Sequence, residues 1–227
     1  MKKSLFILVG LTAAAVSNNI MSLQYKGVKS QHDDGYDSIR KITIEREVDA
    51  LCLSISISSP MVWEGNYASR EVPQRCKATF VKTLGQIQPL KIGKDIDTFG
   101  ELEVLDFIEK MNNSKDMLLV DTRHEEWYEY RTIPSAINIP FSYITKSKQF
   151  PEEFKEVLKT FGVKTKKNSY DFSNCKTIAL FCNGAWCSQS PSMIKSLLML
   201  GYPAHKIKWY RGGMHDWLSM SMTTTRP

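Results

Sequence analysis

Helical and strand-like patterns alternate through the C-terminal half of this 227-residue chain, and their order restricts the possible folds. From Thr98 onward the order is helix, strand, helix, strand, helix, strand. Buried strands are predicted over Met117–Val120 and Thr177–Phe181. Apolar residues predict two of the helices: Leu102, Val104, Leu105, Ile108 and Met111, then Phe154, Val157 and Leu158. This alternation favours an α/β fold with a mainly parallel sheet and helices on both faces.

A cysteine follows the second predicted strand directly and opens a short loop, Cys182–Gln189. Loop amides and the positive end of the next helix stabilise a thiolate at such a position, so the pKa of Cys182 is expected to be lowered. The loop contains a second cysteine, Cys187, and no Arg or Lys, so a bound anion must be held mainly by backbone N–H groups. The alternative is that Cys182 is a buried structural cysteine.

The helix after this loop has recognisable ends. Ser190 is predicted to be its N-cap and Pro191 its first residue. Gly201 supplies the C-terminal stop. The apolar stripe between them is formed by Met193, Ile194, Leu197, Leu198 and Leu200.

From about Ile96 to Thr223 the chain resembles the rhodanese-like sulfurtransferase family. Leu118–Arg123 is similar to that family's strand ending in Asp-x-Arg, and Glu126–Tyr130 to its acidic-aromatic helix. Ile133–Pro140 resembles its Ile-Pro-Gly-Ala-x-Asn-x-Pro turn, and Tyr210–Trp217 its closing Gly-Gly-x-x-x-Trp element. The four pieces occur in the family's order and spacing, and the resemblance implies a rhodanese-like parallel sheet flanked by helices.

The resemblance implies that Cys182 is the nucleophile that carries sulfur. The residues expected to surround the substrate are Asn183, Gly184, Ala185, Trp186, Ser188 and Gln189. Two features differ from common members of the family: the active loop is longer by about two residues, and Cys187 stands where a basic residue often occurs. Phosphatase relatives need an Arg to hold phosphate, and this loop has none, so phosphatase activity is not expected.

Other polar and aromatic residues near the predicted site are considered for structural roles or for metal binding. Asp121 and Arg123 are expected to brace loops by hydrogen bonding rather than to do chemistry. Trp186 either covers the thiolate or plugs into the core. Three histidines could bind a metal together with Cys182 and Cys187: His124, His205 and His215. The spacing of the two cysteines is not typical of a zinc site, so these histidines are expected to be surface residues. No metal or organic cofactor is implied.

The N-terminus is typical of an export signal. Lys2 and Lys3 precede the apolar stretch Leu5–Val16, which is short for a membrane span. The small residues of Ala15–Ser17 predict a signal peptide of residues 1–17 and a periplasmic or otherwise exported protein. An uncleaved N-terminal anchor is the alternative, and no membrane span is expected after cleavage.

Residues 18–92 carry no family signature and are predicted to form a small β-rich region packed on a rhodanese-like domain of residues 93–227. Strand-like alternation occurs at Ile39–Ile44 and Leu51–Ile57, and Ala78–Val81 is short and apolar. Cys52 and Cys76 lie in this region and either form a disulfide in an oxidising compartment or remain unpaired thiols.

The charge of the chain does not indicate a nucleic-acid partner. The formal net charge is +6, and it is spread over lysine-rich loops such as residues 146–148 and 164–167. Stacking aromatics do not alternate with these lysines, so they are interpreted as solvated surface.

The resemblance implies a sulfurtransferase that carries sulfane sulfur as a persulfide on Cys182, and Cys187 is a possible resolving cysteine. Its expected partners are a small sulfane-sulfur donor, of the thiosulfate or polysulfide type, and a thiol or protein acceptor. Two alternatives remain open: a thiol–disulfide oxidoreductase that uses Cys182 and Cys187, or a non-catalytic binding module of the same fold.

Overall fold

A computed structural model describes residues 27–33, 38–45, 86–167 and 169–227 of the chain. The predicted signal peptide, the strand-like runs Leu51–Ile57 and Ala78–Val81, and the Cys52–Cys76 pair lie outside the described residues. No helix in the described part of the chain is long and apolar enough to cross a membrane.

The helices and strands alternate as the sequence predicts. The strands are β1 (Val28–Asp33), β2 (Ile39–Ile44), β3 (Asp97–Phe99), β4 (Met117–Asp121), β5 (Ala136–Asn138), β6 (Lys164–Lys166), β7 (Ser169–Asp171), β8 (Thr177–Phe181) and β9 (Ile207–Tyr210). The α-helices are α1 (Glu101–Met111), α2 (Glu125–Tyr130), α3 (Ser142–Thr145), α4 (Pro151–Thr160), α5 (Gln189–Leu200) and α6 (Gly213–Ser219). A 3-10 turn, Ala204–Lys206, precedes β9.

Five strands form the central sheet in the order β3-β9-β8-β4-β5, and all neighbours are parallel. This confirms the predicted α/β fold with a parallel sheet. Side chains of β8 alternate between the two faces, as strand geometry requires. Ile178 and Leu180 join the hydrophobic core that contains α4 and α5, whereas Ala179 and Phe181 join the core that contains α1 and α6.

The described N-terminal residues form an antiparallel hairpin of β1 and β2, with Val28 opposite Ile44. The predicted strand Ile39–Ile44 is therefore confirmed, and the described part of this region is β-structure as predicted. Alternate residues of β1 are buried, and the Ser30 hydroxyl lies 2.5 Å from that of Ser135. The Ser135 hydroxyl also donates to the Gln31 carbonyl at 3.0 Å. The hairpin thus packs on the α/β part of the chain.

The register of the sheet aligns the carboxyl ends of three strands. Asp121 of β4 lies opposite Phe181 of β8, and Phe181 lies opposite Tyr210 of β9. In parallel sheets, ligands bind beyond this edge. Cys182 follows Phe181 and therefore lies at the edge where a ligand is expected.

The start of α5 differs from the prediction. The helix begins at Gln189 with Ser188 as its N-cap, so the predicted N-cap Ser190 lies inside the first turn. The Ser190 side chain is fully buried and its hydroxyl lies 2.9 Å from that of Thr122, so it bonds outside the helix. Pro191 is the third residue of the helix rather than the first, and it is tolerated there because N–H groups of the first turn have no partner within the helix. Gly201 ends the helix in the left-handed conformation, as predicted.

Candidate active site

Cys182 lies at the carboxyl end of β8 and is 2% exposed. Its backbone carbonyl accepts a hydrogen bond from the Met214 amide at 3.0 Å, which joins the end of the strand to the start of α6. Gly213 makes this close approach possible, because a Cβ there would lie 2.2 Å from the Cys182 carbonyl oxygen and the φ angle is +56°. A residue other than glycine at 213 would displace the backbone of Cys182.

Two carbonyl groups of the loop after Cys182 bond to amides of other segments. The Asn183 carbonyl accepts from the His215 amide at 2.9 Å, and the Ala185 carbonyl accepts from the Gln88 amide at 2.8 Å. The Gly184 carbonyl accepts from the Cys187 amide at 2.9 Å, which closes a turn within the loop. Five loop amides have no oxygen acceptor in the described parts of the chain: Asn183, Gly184, Ala185, Trp186 and Ser188. The Asn183 amide bonds to the Cys187 sulfur, and the other four are free backbone donors for an anion.

The two cysteines of the loop lie in contact as free thiols. The Cys182 thiol donates to the Cys187 carbonyl oxygen at 3.7 Å, and the Cys187 thiol to the Gln189 side-chain oxygen at 3.8 Å. Burial raises the pKa of the Cys182 thiol well above its usual value, and the adjacent Cys187 sulfur raises it further. The expected lowering of the Cys182 pKa is therefore wrong for this conformation. Ser190 opposes the shift by hydrogen bonding, but burial dominates.

The pKa of Cys187 is shifted in the opposite direction. A hydrogen bond from the Cys182 thiol is the main cause that lowers the pKa of Cys187, which falls to about 7 although burial opposes it. The amides of Gln189 and Asn183 and the charge of Arg123 act in the same direction. Backbone donors of the loop therefore bond to Cys187 as well as to Cys182. Cys187 is 8% exposed.

Arg123 supplies a positive charge that the loop itself lacks. Its guanidinium pairs with buried Asp121 at 2.6 Å and lies 3.4 Å from the Asn183 side-chain oxygen. It also donates to the Arg131 carbonyl, while the Thr132 hydroxyl donates to Asp121 at 2.8 Å. The expectation that Asp121 and Arg123 brace the loops is confirmed. The composition of the loop does not predict the electrostatic effect of Arg123 on Cys187, because Arg123 lies outside the loop.

Trp186 lies half-buried at the outer side of the loop. A Cβ on Gly184 would lie 2.5 Å from the Trp186 ring, so the indole packs directly over that glycine. The His215 ring contacts the indole edge-on, with centroids 4.9 Å apart. Trp186 is therefore not a core residue, and the contacts of its ring are with Gly184 and His215 rather than with the Cys182 sulfur.

The three histidines considered as metal ligands are exposed, as predicted: His124, His205 and His215. Within the described residues, no group of three or more His, Cys, Asp or Glu side chains is arranged to hold a metal ion.

All of the predicted site residues lie together in one loop and the first turn of α5, between Cys182 and Gln189. Three contributors were not predicted. Thr122 and Ser190 form a buried hydroxyl pair beside Cys182, and Gln88 contacts the loop from outside the α/β sequence pattern. The sequence predicts Ser190 as a helix cap, which hides its contact with Thr122, and Gln88 lies in a segment without periodicity.

A family model of the rhodanese-like domain matches residues 104–220, a little over half of the chain. The chain belongs to the rhodanese-like domain family. The matched range contains Asp121, Arg123, Cys182 and the Gly212–Gly213 pair, so it includes the site described above. No curated protein matches the sequence significantly.

Several solved structures are similar to this rhodanese-like chain. A protein from Bacillus halodurans is 19% identical over 68% of this chain and 87% of its own, with a TM-score of 0.40. A human single-domain sulfurtransferase is 22% identical over 56% of this chain and 97% of its own, with a TM-score of 0.37. A rhodanese with anions from E. coli is 21% identical over 49% of this chain and 99% of its own, with a TM-score of 0.32.

The two thiols of this rhodanese-like domain are expected to react over different pH ranges. Alkylation of Cys187 should increase through about pH 7, because its pKa is lowered to about that value and the thiolate is the reactive form. Alkylation of Cys182 should increase only at more alkaline pH, because burial raises its pKa. Iodoacetamide labelling at a series of pH values, read by peptide mass spectrometry, measures both. Labelling of Cys182 at lower pH than Cys187 would show that the assignment is reversed.

Proposed function

We propose that the chain is a sulfurtransferase that carries sulfane sulfur as a persulfide on Cys182. The observation that supports this most directly is the position of Cys182 at the carboxyl end of β8, followed by a loop in which four backbone amides have no partner among the described residues. Such amides stabilise the negative charge of a terminal persulfide sulfur without having to reorganise during the reaction.

The proposed reaction begins with proton transfer between the two cysteines. Cys187, whose pKa is lowered, accepts the proton of the adjacent Cys182 thiol when it is in its thiolate form. The Cys182 thiolate then attacks the outer sulfur of a donor such as thiosulfate. A bond forms between the Cys182 sulfur and that sulfur, the donor's S–S bond breaks, and sulfite leaves with the electron pair. Charge balances, because a thiolate and thiosulfate give an anionic persulfide and sulfite.

The persulfide has two proposed outcomes. An external thiolate can attack the outer sulfur, which regenerates the Cys182 thiolate and leaves the acceptor as a persulfide. Alternatively, the Cys187 sulfur attacks the Cys182 sulfur, which forms a Cys182–Cys187 disulfide and releases the outer sulfur as hydrosulfide. The second outcome needs an external dithiol to reduce the disulfide before another turnover.

A donor panel tests the proposed function against its alternatives. The protein is incubated with thiosulfate, polysulfide or tetrathionate, freed of donor and weighed by mass spectrometry. Sulfur transfer predicts a gain of about 32 Da. A thiol–disulfide oxidoreductase would instead reduce insulin with no sulfane donor present. A protein that shows neither activity would be a binding module, and the proposal would then be wrong.

Cys187 is expected to act as a resolving cysteine. Under mild oxidant, the wild type should lose the free thiols of Cys182 and Cys187 together, because the two side chains are in contact. The Cys187→Ala variant should instead oxidise Cys182 to sulfinic acid, because no thiol remains to trap the sulfenic acid. Thiol titration with peptide mass spectrometry measures both products. If Cys187 stays free and Cys182 over-oxidises equally fast in both proteins, Cys187 is only part of the loop wall.

A further inference from the structure

A short segment upstream of the sheet, the strap (residues 86–90), lies against the outside of the active loop. The Gln88 amide donates to the Ala185 carbonyl at 2.8 Å. Arg211, which directly follows β9, binds carbonyl groups of the same segment. Its Nη2 donates to the Gln88 carbonyl at 2.8 Å, and its Nε lies 3.2 Å from the Gln88 and Pro89 carbonyls.

The hydrogen bond to Ala185 fixes the orientation of one peptide group in the loop. The Ala185 carbonyl and the Trp186 N–H belong to one trans peptide, in which the two groups point in opposite directions. With the carbonyl turned outward to the strap, the Trp186 N–H is directed away from it. That N–H is one of the five loop amides without an oxygen acceptor in the described chain.

We propose that Arg211 is a positioning residue for sulfur transfer, acting through the strap to orient the Ala185–Trp186 peptide of the active loop. This inference rests on the proposed function of that loop. It also assigns a role to the segment before β3, which forms an outer wall of the site rather than a simple connection.

Little else within the described residues holds the strap in place. Ile87 and Leu90 are 86% and 68% exposed, so the strap buries little apolar surface at these positions. Besides Arg211, the strap receives a hydrogen bond from the Thr98 hydroxyl to the Leu90 carbonyl at 2.5 Å. That bond holds Leu90, which is two residues away from Gln88. The contacts of the Arg211 guanidinium are the ones made to Gln88 itself.

Two pairs of variants test the proposal. Gln88→Pro removes the N–H that binds Ala185, and the backbone tolerates it because Pro89 already restricts Gln88 to extended conformations. Gln88→Ala is its matched control, because it keeps that N–H and loses only a side-chain contact with the Gln86 carbonyl. Arg211→Ala removes the guanidinium, and Arg211→Lys keeps a single donor group. Melting temperature serves as the check that each variant is folded.

Two quantities are measured in the full chain: the single-turnover rate of Cys182 persulfide formation from thiosulfate, and the pH midpoint of Cys182 alkylation. Gln88→Pro and Arg211→Ala should lower the rate about tenfold, less than the loss of a direct oxyanion donor would cost. Both should move the alkylation midpoint to higher pH. Arg211→Lys should give intermediate values, and Gln88→Ala should match the wild type within about twofold, because the backbone donor is retained.

Unchanged rate and midpoint in folded Gln88→Pro or folded Arg211→Ala would overturn the proposal. Equal losses in Arg211→Lys and Arg211→Ala would also contradict it, because a retained donor should rescue part of the effect. If Gln88→Pro does not fold, the Arg211 pair decides the outcome. Failure of the proposed function can be told apart from failure of this inference, because alkylation does not require sulfur transfer. A wild-type protein that never takes up sulfur refutes the proposed function. The pH midpoint of Cys182 alkylation in the variants still tests the effect of the strap.

Discussion

Replacing Cys182 with serine is expected to abolish persulfide formation while the fold stays intact. Serine differs by one atom and fits the buried position at the end of β8, but its hydroxyl ionises too weakly to attack a sulfane sulfur. The rate of sulfur uptake from thiosulfate or polysulfide should fall at least about a thousandfold, as expected when a nucleophile is removed. Stopped incubations followed by cyanolysis measure the sulfur that is bound.

Cys175→Ser is the matched control for this experiment. Cys175 is a buried free cysteine like Cys182, but it lies just before β8, at the opposite end of the strand from the loop. The Cys175→Ser variant should therefore take up sulfur at the wild-type rate. Sulfur uptake at the wild-type rate in Cys182→Ser would show that another residue is the nucleophile.

Replacing Asp121 with asparagine is expected to destabilise the protein strongly. Asp121 is fully buried, and its carboxylate balances the charge of Arg123, whose side chain is 4% exposed. Asparagine keeps the shape but removes the negative charge, so a buried guanidinium is left without a counter-ion. Loss of one partner from a buried ion pair costs about 3–5 kcal/mol of unfolding free energy. Urea unfolding followed by tryptophan fluorescence measures the change.

Asp106→Asn is the corresponding control on the surface. Asp106 pairs with Lys110 on the exposed face of α1, where its side chain is 59% exposed. Solvent screens such a pair, so the loss should stay below about 1 kcal/mol. If Asp121→Asn and Asp106→Asn lost the same unfolding free energy, the buried Asp121–Arg123 pair would not stabilise the site as described.

The sheet and the active loop were predictable because both depend on local patterns. The buried run Thr177–Phe181 and the stripe on α5 repeat at strand and helix periods, and their order requires a parallel sheet. Placing Cys182 at the ligand-binding edge then needs no knowledge of distant contacts.

The features that were missed depend on tertiary contacts. The sequence predicts Ser190 as a helix cap because its side chain suits that role. Its hydroxyl instead forms a hydrogen bond with the hydroxyl of Thr122, which follows β4. Arg123 reaches the loop because Asp121 and Phe181 are in register, which the sequence does not encode locally. The raised pKa of Cys182 arises from burial, whereas the helix and amide effects considered from sequence act in the opposite direction.

Peptide mass spectrometry of the protein after exposure to a sulfane donor tests the central claim most directly. Protein treated with thiosulfate or polysulfide is alkylated, digested and analysed for each cysteine separately. The proposal predicts an added mass of about 32 Da on the peptide that contains Cys182, and its absence from that peptide in Cys182→Ser. Sulfur found only on other cysteines, or on none with any donor, would contradict the assignment of Cys182 as the sulfur carrier.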